Sequence, residues 1–576
     1  MNEKLNILAG EFLACGIVDL FPNAKIDRLT LTDDGFRYSF WLPKQNKLSS
    51  NDFSTIKNKL NELYCKSLNV SYTKKSLNDV KSIFKNNKFK LYQINQSKLK
   101  QFNLIKIGDK FIDIIDSNND KKLPNPNFIK LTNISGVYFD NNAKNEQLIA
   151  IDGWAKENNK AYKEYELFLN EKSQRDHRKI GAKLELFCFD KLIGQGLPIW
   201  LENGTNIKFE IENYCRELLF KNEYKFVQTP ILGSVDLYKI SGHWNHYREN
   251  MFPVIKVENE QFVLKPMSCP HHITCYKQRP HSYKELPYRI AEFGIQHRYE
   301  ASGALTGLER VRQMQLVDTH TILMHSQIES EISRLYQIIL EAHKTLGTKI
   351  YSIDLSLHDP KDKEKFFDNE KMWQNAEKQL EKALKKLNVP YKKVVGEAAF
   401  YGPKIDIQMK TVLNHIITIS TIQLDFLLPE RFNLEYIDKN GKKGRPVFIH
   451  AGIIGTFERY LSILLEQTNG ALPLWLSPIQ VLLIPINDRT HFEKTKKMQL
   501  ELLKYNIRAK IDNSDERLSK KIRNAQVNKI PYVVVLGDNE LNSNTVTYRC
   551  YGKTNEVNVS FKQFLNKICK DIKDKK

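Results

Sequence analysis

The stretch Phe293–His320, FGIQHRYEASGALTGLERVRQMQLVDTH, decides how the chain is read. Two runs with extended character, roughly Arg289–Tyr299 and Arg310–Ile322, flank a loop rich in Gly and Ser. That is the pattern of a hairpin with a long connection. Side chains alternate across a strand, so Asp318 and His320 share a face. Arg298 and Glu300 share one as well if the first strand runs that far. Setting ionisable groups side by side is costly on burial unless they serve a purpose.

On Phe293, Arg298, Glu300 and Arg310 the stretch resembles motif 2 of the class II aminoacyl-tRNA synthetases: Phe, a few residues, Arg-x-Glu, a loop, and a second arginine. Three further blocks resemble the threonyl-tRNA synthetase family in particular. They are KPMSCPHH (Lys265–His272), FYGPKIDI (Phe400–Ile407) and FIHAGIIGTFERYLSILLE (Phe448–Glu466). The match covers most of the chain from about Arg175 to the end. It implies a multidomain α+β protein and a homodimer on an antiparallel class II sheet with helices. Residues 1–160 would form an N-terminal α+β editing-like domain, 161–476 the catalytic domain, and 477–576 an α/β anticodon-binding domain.

At 576 residues the chain is long enough for several domains with large cores. The formal charge is +21 and the isoelectric point about 9.3. A Lys-rich solvated surface and a polyanionic partner both account for that, and net charge speaks to neither fold nor site. The eight cysteines, from Cys15 to Cys569, show no CxxC and read as reduced thiols. Glu3, Glu11 and Asp19 interrupt the apolar N-terminus, so no signal peptide is expected. Nothing approaches the ~20 apolar residues of a membrane span. The expectation is a cytoplasmic protein.

Residues 6–21, NILAGEFLACGIVDLF, have helical apolar spacing, and LTLTDDGFRYSFWLP reads as a hairpin turning at Asp33-Asp34-Gly35. DSNNDKKLPNPN reads as loop. This first unit resembles the editing domain of bacterial threonyl enzymes with its chemistry gone. The family's HxxxH falls on Asn6 and Gly10, and its CxxxH on Ile115 and Asn119. A hydrolytic site needs its base and water-positioning groups, so a scaffold without hydrolysis is expected. The small ubiquitin-like domain that often precedes this one in relatives has no counterpart before Leu5.

A charged helical segment (161–187) leads to the second unit. Ile207, Ile211, Tyr214 and Leu218 keep helical spacing, followed by a strand carrying Pro230; this resembles motif 1, which builds the class II dimer interface. His325–Lys393 reads as two helices separated by a strand, with no site chemistry. The last unit alternates strands and helices, from IQVLLIPIN through IRAKID and 517–527 to PYVVVLGD, which suggests an α/β domain on a mostly parallel sheet. The resemblance places tRNA anticodon contacts at Glu540 and Arg549, with Arg523 a neighbour; a surface salt bridge explains each equally well.

Spacing alone does not unite Cys269, His320 and His450. The resemblance makes them zinc ligands, a three-ligand set that leaves a coordination position open. In the family the metal binds the amine and hydroxyl of threonine, a polar recognition that valine cannot satisfy. His271, His272 and Cys275 are competing candidates in the same block. For ATP, the resemblance assigns Arg298 to the α-phosphate, Arg459 to the γ-phosphate, Arg310 to the outer phosphates and Glu300 to the adenine amino group. A guanidinium offers the bidentate fork such anions need. Asp318 and Tyr401 match positions that hold the substrate's amino group; Lys404 and Gln423 lie in matching blocks. Magnesium is expected with ATP, and no carboxylate pair identifies its ligands. The family usually has an aromatic residue at Met314, against adenine, and a glutamine at Leu316. Methionine can still cover a ring, whereas Leu316 removes a hydrogen-bond partner. A Walker A motif is absent, which disfavours a P-loop ATPase.

The expected function is threonine–tRNA ligation to tRNA(Thr) without editing. A non-catalytic RNA-binding regulator is the alternative from another class. A prolyl or seryl enzyme would share motifs 2 and 3 but leave Cys269, His320 and His450 unexplained.

Overall fold

The computed structural model describes residues 2–576 except 33, 44–47, 117–121, 142–144, 413–414 and 488. Cα proximity divides the chain into two compact units, Met1–Glu171 and Lys172–Lys576.

In the first unit the expected N-terminal helix forms over Glu3–Leu20, with the Asn2 side chain accepting from the Leu5 amide as its cap. It buries Phe12 and Leu13 among Phe36, Tyr38 and Phe40 of the sheet beside it. That sheet is antiparallel, in the order 25–32, 35–41, 147–155, 129–138. The expected hairpin closes with Thr32 opposite Gly35; Asp33 lies outside the described residues. A second, three-stranded antiparallel sheet joins 70–76, 101–107 and 111–115. Part of the expected DSNNDKKLPNPN loop, residues 117–121, is not described.

The charged linking segment is two helices, Asn159–Gln174 and His177–Lys183. The break comes at Asp176, whose carboxylate accepts from the Arg178 amide at 2.8 Å and caps the second helix.

The second unit is built on eight strands: β1 (Lys225–Phe226), β2 (Tyr288–His297), β3 (Gln313–Leu323), β4 (Ser352–Leu357), β5 (Lys392–Val395), β6 (Lys404–Lys410), β7 (Ile416–Asp425) and β8 (Val447–Thr456). Their spatial order is β1-β2-β3-β8-β7-β6-β4-β5. The interior pairings are antiparallel, as expected, but both edges are parallel: β1 with β2 and β4 with β5. One face carries Val317, Ile405, Ile422, Ile449 and Ala451 into a core with helices Glu202–Lys221, Ile328–Leu346, Glu370–Lys386 and Phe457–Thr468. The period-2 alternation leaves the opposite face for polar groups.

Three expectations need correction. The hairpin strand stops at His297, so Arg298 and Glu300 lie in the connection rather than on a shared strand face. Pro230 is not in a strand: the strand after helix Glu202–Lys221 is only Lys225–Phe226, and the next begins at Leu232. Proline has no N–H to give the ladder there. The C-terminal sheet is not mostly parallel. Its order is 509–511, 481–485, 532–536, 545–550, 556–560, with the first two pairings parallel and the last two antiparallel. Among the described residues no helix is long and apolar enough to cross a membrane.

Candidate active site and metal centre

Register brings distant residues into one row. His320 on β3 pairs with His450 on β8, His450 with Gln423 on β7, and Gln423 with Lys404 on β6. One step along, Asp318 pairs with Gly452, and Gly452 with Thr421. These residues face away from the apolar core. Cys269 begins the helix Cys269–Tyr276; burial and then the charges of Asp318 and Asp425 raise its thiol's pKa, so a bound cation is what would make it a thiolate. The candidate ligand atoms of Cys269, His320 and His450 all lie within 4.8 Å of one another, and all three residues are buried.

The hydrogen bonds around this trio decide which nitrogens hold protons. Glu292 is buried, yet it accepts from the Thr229 amide at 2.6 Å and lies 3.2 Å from the Lys265 ammonium, partners that keep it a carboxylate. As a carboxylate it only accepts. His272 therefore donates from Nε2 to Glu292 Oε2 at 3.1 Å, and in the neutral ring Nδ1 accepts from His320 Nδ1 at 2.7 Å. That leaves a lone pair on His320 Nε2. On the other side His450 Nε2 donates to Asp425 Oδ2 at 2.9 Å, which leaves a lone pair on His450 Nδ1. The two lone-pair nitrogens sit 3.1 Å apart. Two acceptors at that distance repel unless a cation lies between them. Burial drives His320 well below its usual pKa, so the ring is neutral, as a ligand must be. Carboxylate-oriented imidazoles are the usual outer support of a protein-bound metal. The donor set fits a zinc-type ion.

A second buried cluster, Asp176, His177 and Glu466, has similar spacing but different chemistry. The Leu308 amide donates to His177 Nε2 at 3.1 Å, so the ring's proton is on Nδ1, which donates to Glu466 Oε1 at 2.8 Å. No lone pair remains for a metal. This cluster is a clasp that holds the loop before β3 against helix His177–Lys183.

A cavity of about 220 Å³ opens over the trio. Its lining includes Arg298, Asp318, Tyr401, Gln423 and Arg459 as well as the three candidate ligands. The Tyr401 hydroxyl donates to Gln423 Oε1 at 2.8 Å, and its ring stacks on His450 with centroids 4.7 Å apart. Arg459 Nε donates to the Glu309 carbonyl at 3.0 Å. Burial, then the charges of Arg298 and Arg310, pull the Arg459 pKa down to about 10. Three guanidiniums held near one another disfavour each other's charge unless a polyanion joins them. Arg298 Nε is buried with no partner. Such forks match phosphate oxygens.

The remaining expected residues stand apart from the cavity. Arg310 Nε donates to Glu300 Oε2 at 2.8 Å, so these two neutralise each other outside it. Met314 is buried on β3 opposite Gln296, and Lys404 is paired with Asp406. Glu540 accepts from the Gly537 amide at 3.0 Å and from the Thr547 hydroxyl at 2.9 Å. Arg549 donates to Glu556 at 2.7 Å, and Arg523 is exposed on helix Leu518–Val527. His271 lies to one side, its Nε2 3.5 Å from the Leu232 carbonyl oxygen, whereas His272 acts through His320.

Sequence reasoning missed two residues. His243 Nε2 lies 3.6 Å from Cys269 Sγ, and burial lowers its pKa to about 3. It sits 26 residues from Cys269, and nothing in the sequence marks it. Gln296 lines the cavity and donates to Asp318 Oδ2 at 3.2 Å. The strand alternation that paired Asp318 with His320 also put Gln296 on the face of Glu292, so this one was readable.

A mixed sheet with an antiparallel interior, carrying this pocket, is the arrangement of a class II aminoacyl-tRNA synthetase core. In agreement, residues 252–468 match the family model of the tRNA synthetase class II core domain (G, H, P, S and T), and residues 480–571 match that of the anticodon binding domain. The chain is 47% identical over 577 residues to the threonine–tRNA ligase of Ureaplasma parvum serovar 3, covering 100% of this chain and 99% of that one. It is 41% identical over 580 residues to the enzyme of the same name from Staphylococcus aureus strain NCTC 8325, covering 100% of this chain and 90% of that one. Among solved structures, the RNA binding domain of threonyl-tRNA synthetase from Cryptosporidium parvum Iowa II aligns with a TM-score of 0.65 at 38% identity, over 69% of this chain and 98% of that one. The chain belongs to the threonine–tRNA ligase family.

Proposed function

We propose that the protein uses ATP to convert L-threonine to threonyl-adenylate and then transfers threonine to the 3′ end of tRNA(Thr), releasing diphosphate and then AMP. The observation that carries this reading is the convergence of His320 Nε2 and His450 Nδ1, 3.1 Å apart, with Cys269 at the floor of a cavity lined by arginines. Those three residues would hold one zinc ion per subunit. Bound there, zinc supplies a Lewis acid for the amine and hydroxyl of threonine, and valine lacks the second donor.

The chain's own residues do the rest. Asp318 accepts from the substrate's amino group, and Tyr401 and Gln423, already joined, close the amino-acid side of the cavity. Arg298 takes the α-phosphate and the threonine carboxylate, so the attacking oxygen faces phosphorus without a protein nucleophile. Arg459 receives the outer phosphates, assisted by Arg310 once ATP draws it from Glu300. Glu300, thus freed, accepts from the adenine amino group, and Met314 lies under the ring. Lys404 has a supporting role through Asp406. Magnesium accompanies ATP.

The domain limits 1–160, 161–476 and 477–576 serve editing-like, catalytic and anticodon-binding roles, with Glu540, Arg549 and Arg523 facing the anticodon. Exposed Phe209 and Phe220 on helix Glu202–Lys221, with Ile231, Ile255 and Val257, support a homodimer. The compartment is the cytoplasm. Editing of mischarged tRNA is absent. Asn6 is spent on structure, accepting from the Ala155 amide at 2.9 Å. A side chain at Gly10 would meet Leu29 at 2.3 Å. Ile115 is apolar and buried, and Asn119 lies outside the described residues.

ATP–diphosphate exchange with threonine, valine and serine, paired with metal analysis, tests the reading. Threonine-dependent exchange with one zinc per chain is expected; no threonine-dependent exchange ends it. One methyl separates serine from threonine and is worth only ~1–3 kcal/mol. Seryl-tRNA should therefore accumulate, and its rapid clearance by the protein would restore an editing role to the first unit.

A further inference from the structure

Gln296 is 2% exposed, yet its Oε1 has no hydrogen-bond partner. Its Nε2 is fully engaged, donating to Ser268 Oγ at 3.1 Å and to Asp318 Oδ2 at 3.2 Å. All three residues line the cavity.

The register explains how the amide gets there. Gln296 pairs with Met314, Gly294 with Leu316, and Glu292 with Asp318. Gly294 has no side chain, so Gln296 leans along β2 across it and reaches Asp318 two pairs away. A Cβ at Gly294 would come within 2.7 Å of Ser268 Oγ, so that gap must stay open. Leu316 faces the same cavity and brings no polar atom.

A buried carbonyl without a donor costs free energy, so an orphan beside a carboxylate in a ligand cavity signals a donor that arrives with the ligand. The α-amino group of an amino acid carries at least two N–H bonds, one for each acceptor. We propose that Gln296 Oε1 accepts a hydrogen bond from the α-amino group of the threonine substrate while Gln296 Nε2 positions the Asp318 carboxylate to accept another. This rests on the reading of the cavity as the threonine site.

The test compares wild type, Gln296→Met and the double variant Gln296→Met/Leu316→Gln in threonine-dependent ATP–diphosphate exchange. Methionine keeps the length and removes the amide. The expected result is a threonine KM raised about tenfold or more in Gln296→Met, since the lost bond is to a polar substrate group. kcat and the ATP KM should stay within about twofold, the split that separates lost substrate binding from general damage. Bound zinc should be unchanged, and Leu316→Gln should restore part of the threonine affinity by returning an amide to the same face. A crystal structure of the wild-type protein with a non-hydrolysable threonyl-adenylate analogue should place the substrate nitrogen about 3 Å from Gln296 Oε1, whether or not the variants fold. An unchanged threonine KM, a rise matched by loss of zinc, or a complex with no substrate atom at Oε1 overturns the role of Gln296. Wild-type protein inactive with threonine would instead remove the reading of the cavity itself.

Discussion

His272 Nδ1 lies 2.7 Å from His320 Nδ1, and the far nitrogen of His272 meets Glu292. His272 is thus the part that fixes which nitrogen of His320 is bare. His272→Phe keeps the ring's bulk and removes both bonds. Zinc affinity should fall about 10- to 100-fold, the usual loss when an outer support of a metal site goes. Competition with a chromogenic chelator measures it; unchanged affinity would show that His320 needs no orienting partner.

Arg298 presents a buried Nε without a partner to the cavity. Arg298→Ala should slow adenylate formation about 100-fold or more, as loss of a preorganised charge partner does. Single-turnover consumption of ATP reads the step, and bound zinc should not change. The same substitution removes a positive charge facing Arg459, so the Arg459 pKa should rise from about 10.

Glu458 supplies a pH test of stability. Burial raises its pKa from 4.5 to about 7. The folded state therefore binds this proton more tightly than the unfolded chain does. The contribution is fully present below pH 4.5 and is lost as pH rises through about 7, amounting to about 3 kcal/mol. Glu458→Gln should remove that slope. The comparison is the melting temperature of both proteins across that pH range; parallel curves would refute the assignment.

In the first unit Lys90 Nζ and Asp113 Oδ1 form a buried ion pair at 2.5 Å, with Tyr38 also on Asp113. Lys90→Met strands Asp113 next to Glu11, whose burial already pushes its pKa well up. The cost should be about 3–5 kcal/mol. Hydrogen–deuterium exchange of the Glu3–Leu20 helix should accelerate accordingly, while threonine activation by the second unit persists.

Much of this was legible in the sequence because the deciding signals were local. The β2–β3 pairing followed from alternation, and the N-terminal helix and hairpin from apolar spacing and turn residues. The placement of Cys269, His320 and His450 rested on a resemblance, since nothing local links residues up to 181 positions apart. What failed depended on backbone register and strand ends. Arg298 and Glu300 fall past the strand because the chain turns at His297. Pro230 drops out of the ladder for want of an N–H. Parallel edges escaped notice because partner direction leaves no mark on a short apolar run. The Glu300–Arg310 pair and the His243 contact are side-chain events that no spacing rule foretells.

The clasp of His177 has a bearing on how the chain could be shortened. Helix His177–Lys183 looks like a spacer, yet its first residue grips the Leu308 amide, and the next residue, Glu309, gives its carbonyl to Arg459. Trimming the chain to the bare sheet by cutting after residue 183 would unhook that loop and let the Arg459 side chain in the cavity swing loose. A minimal active fragment must begin upstream of Asp176.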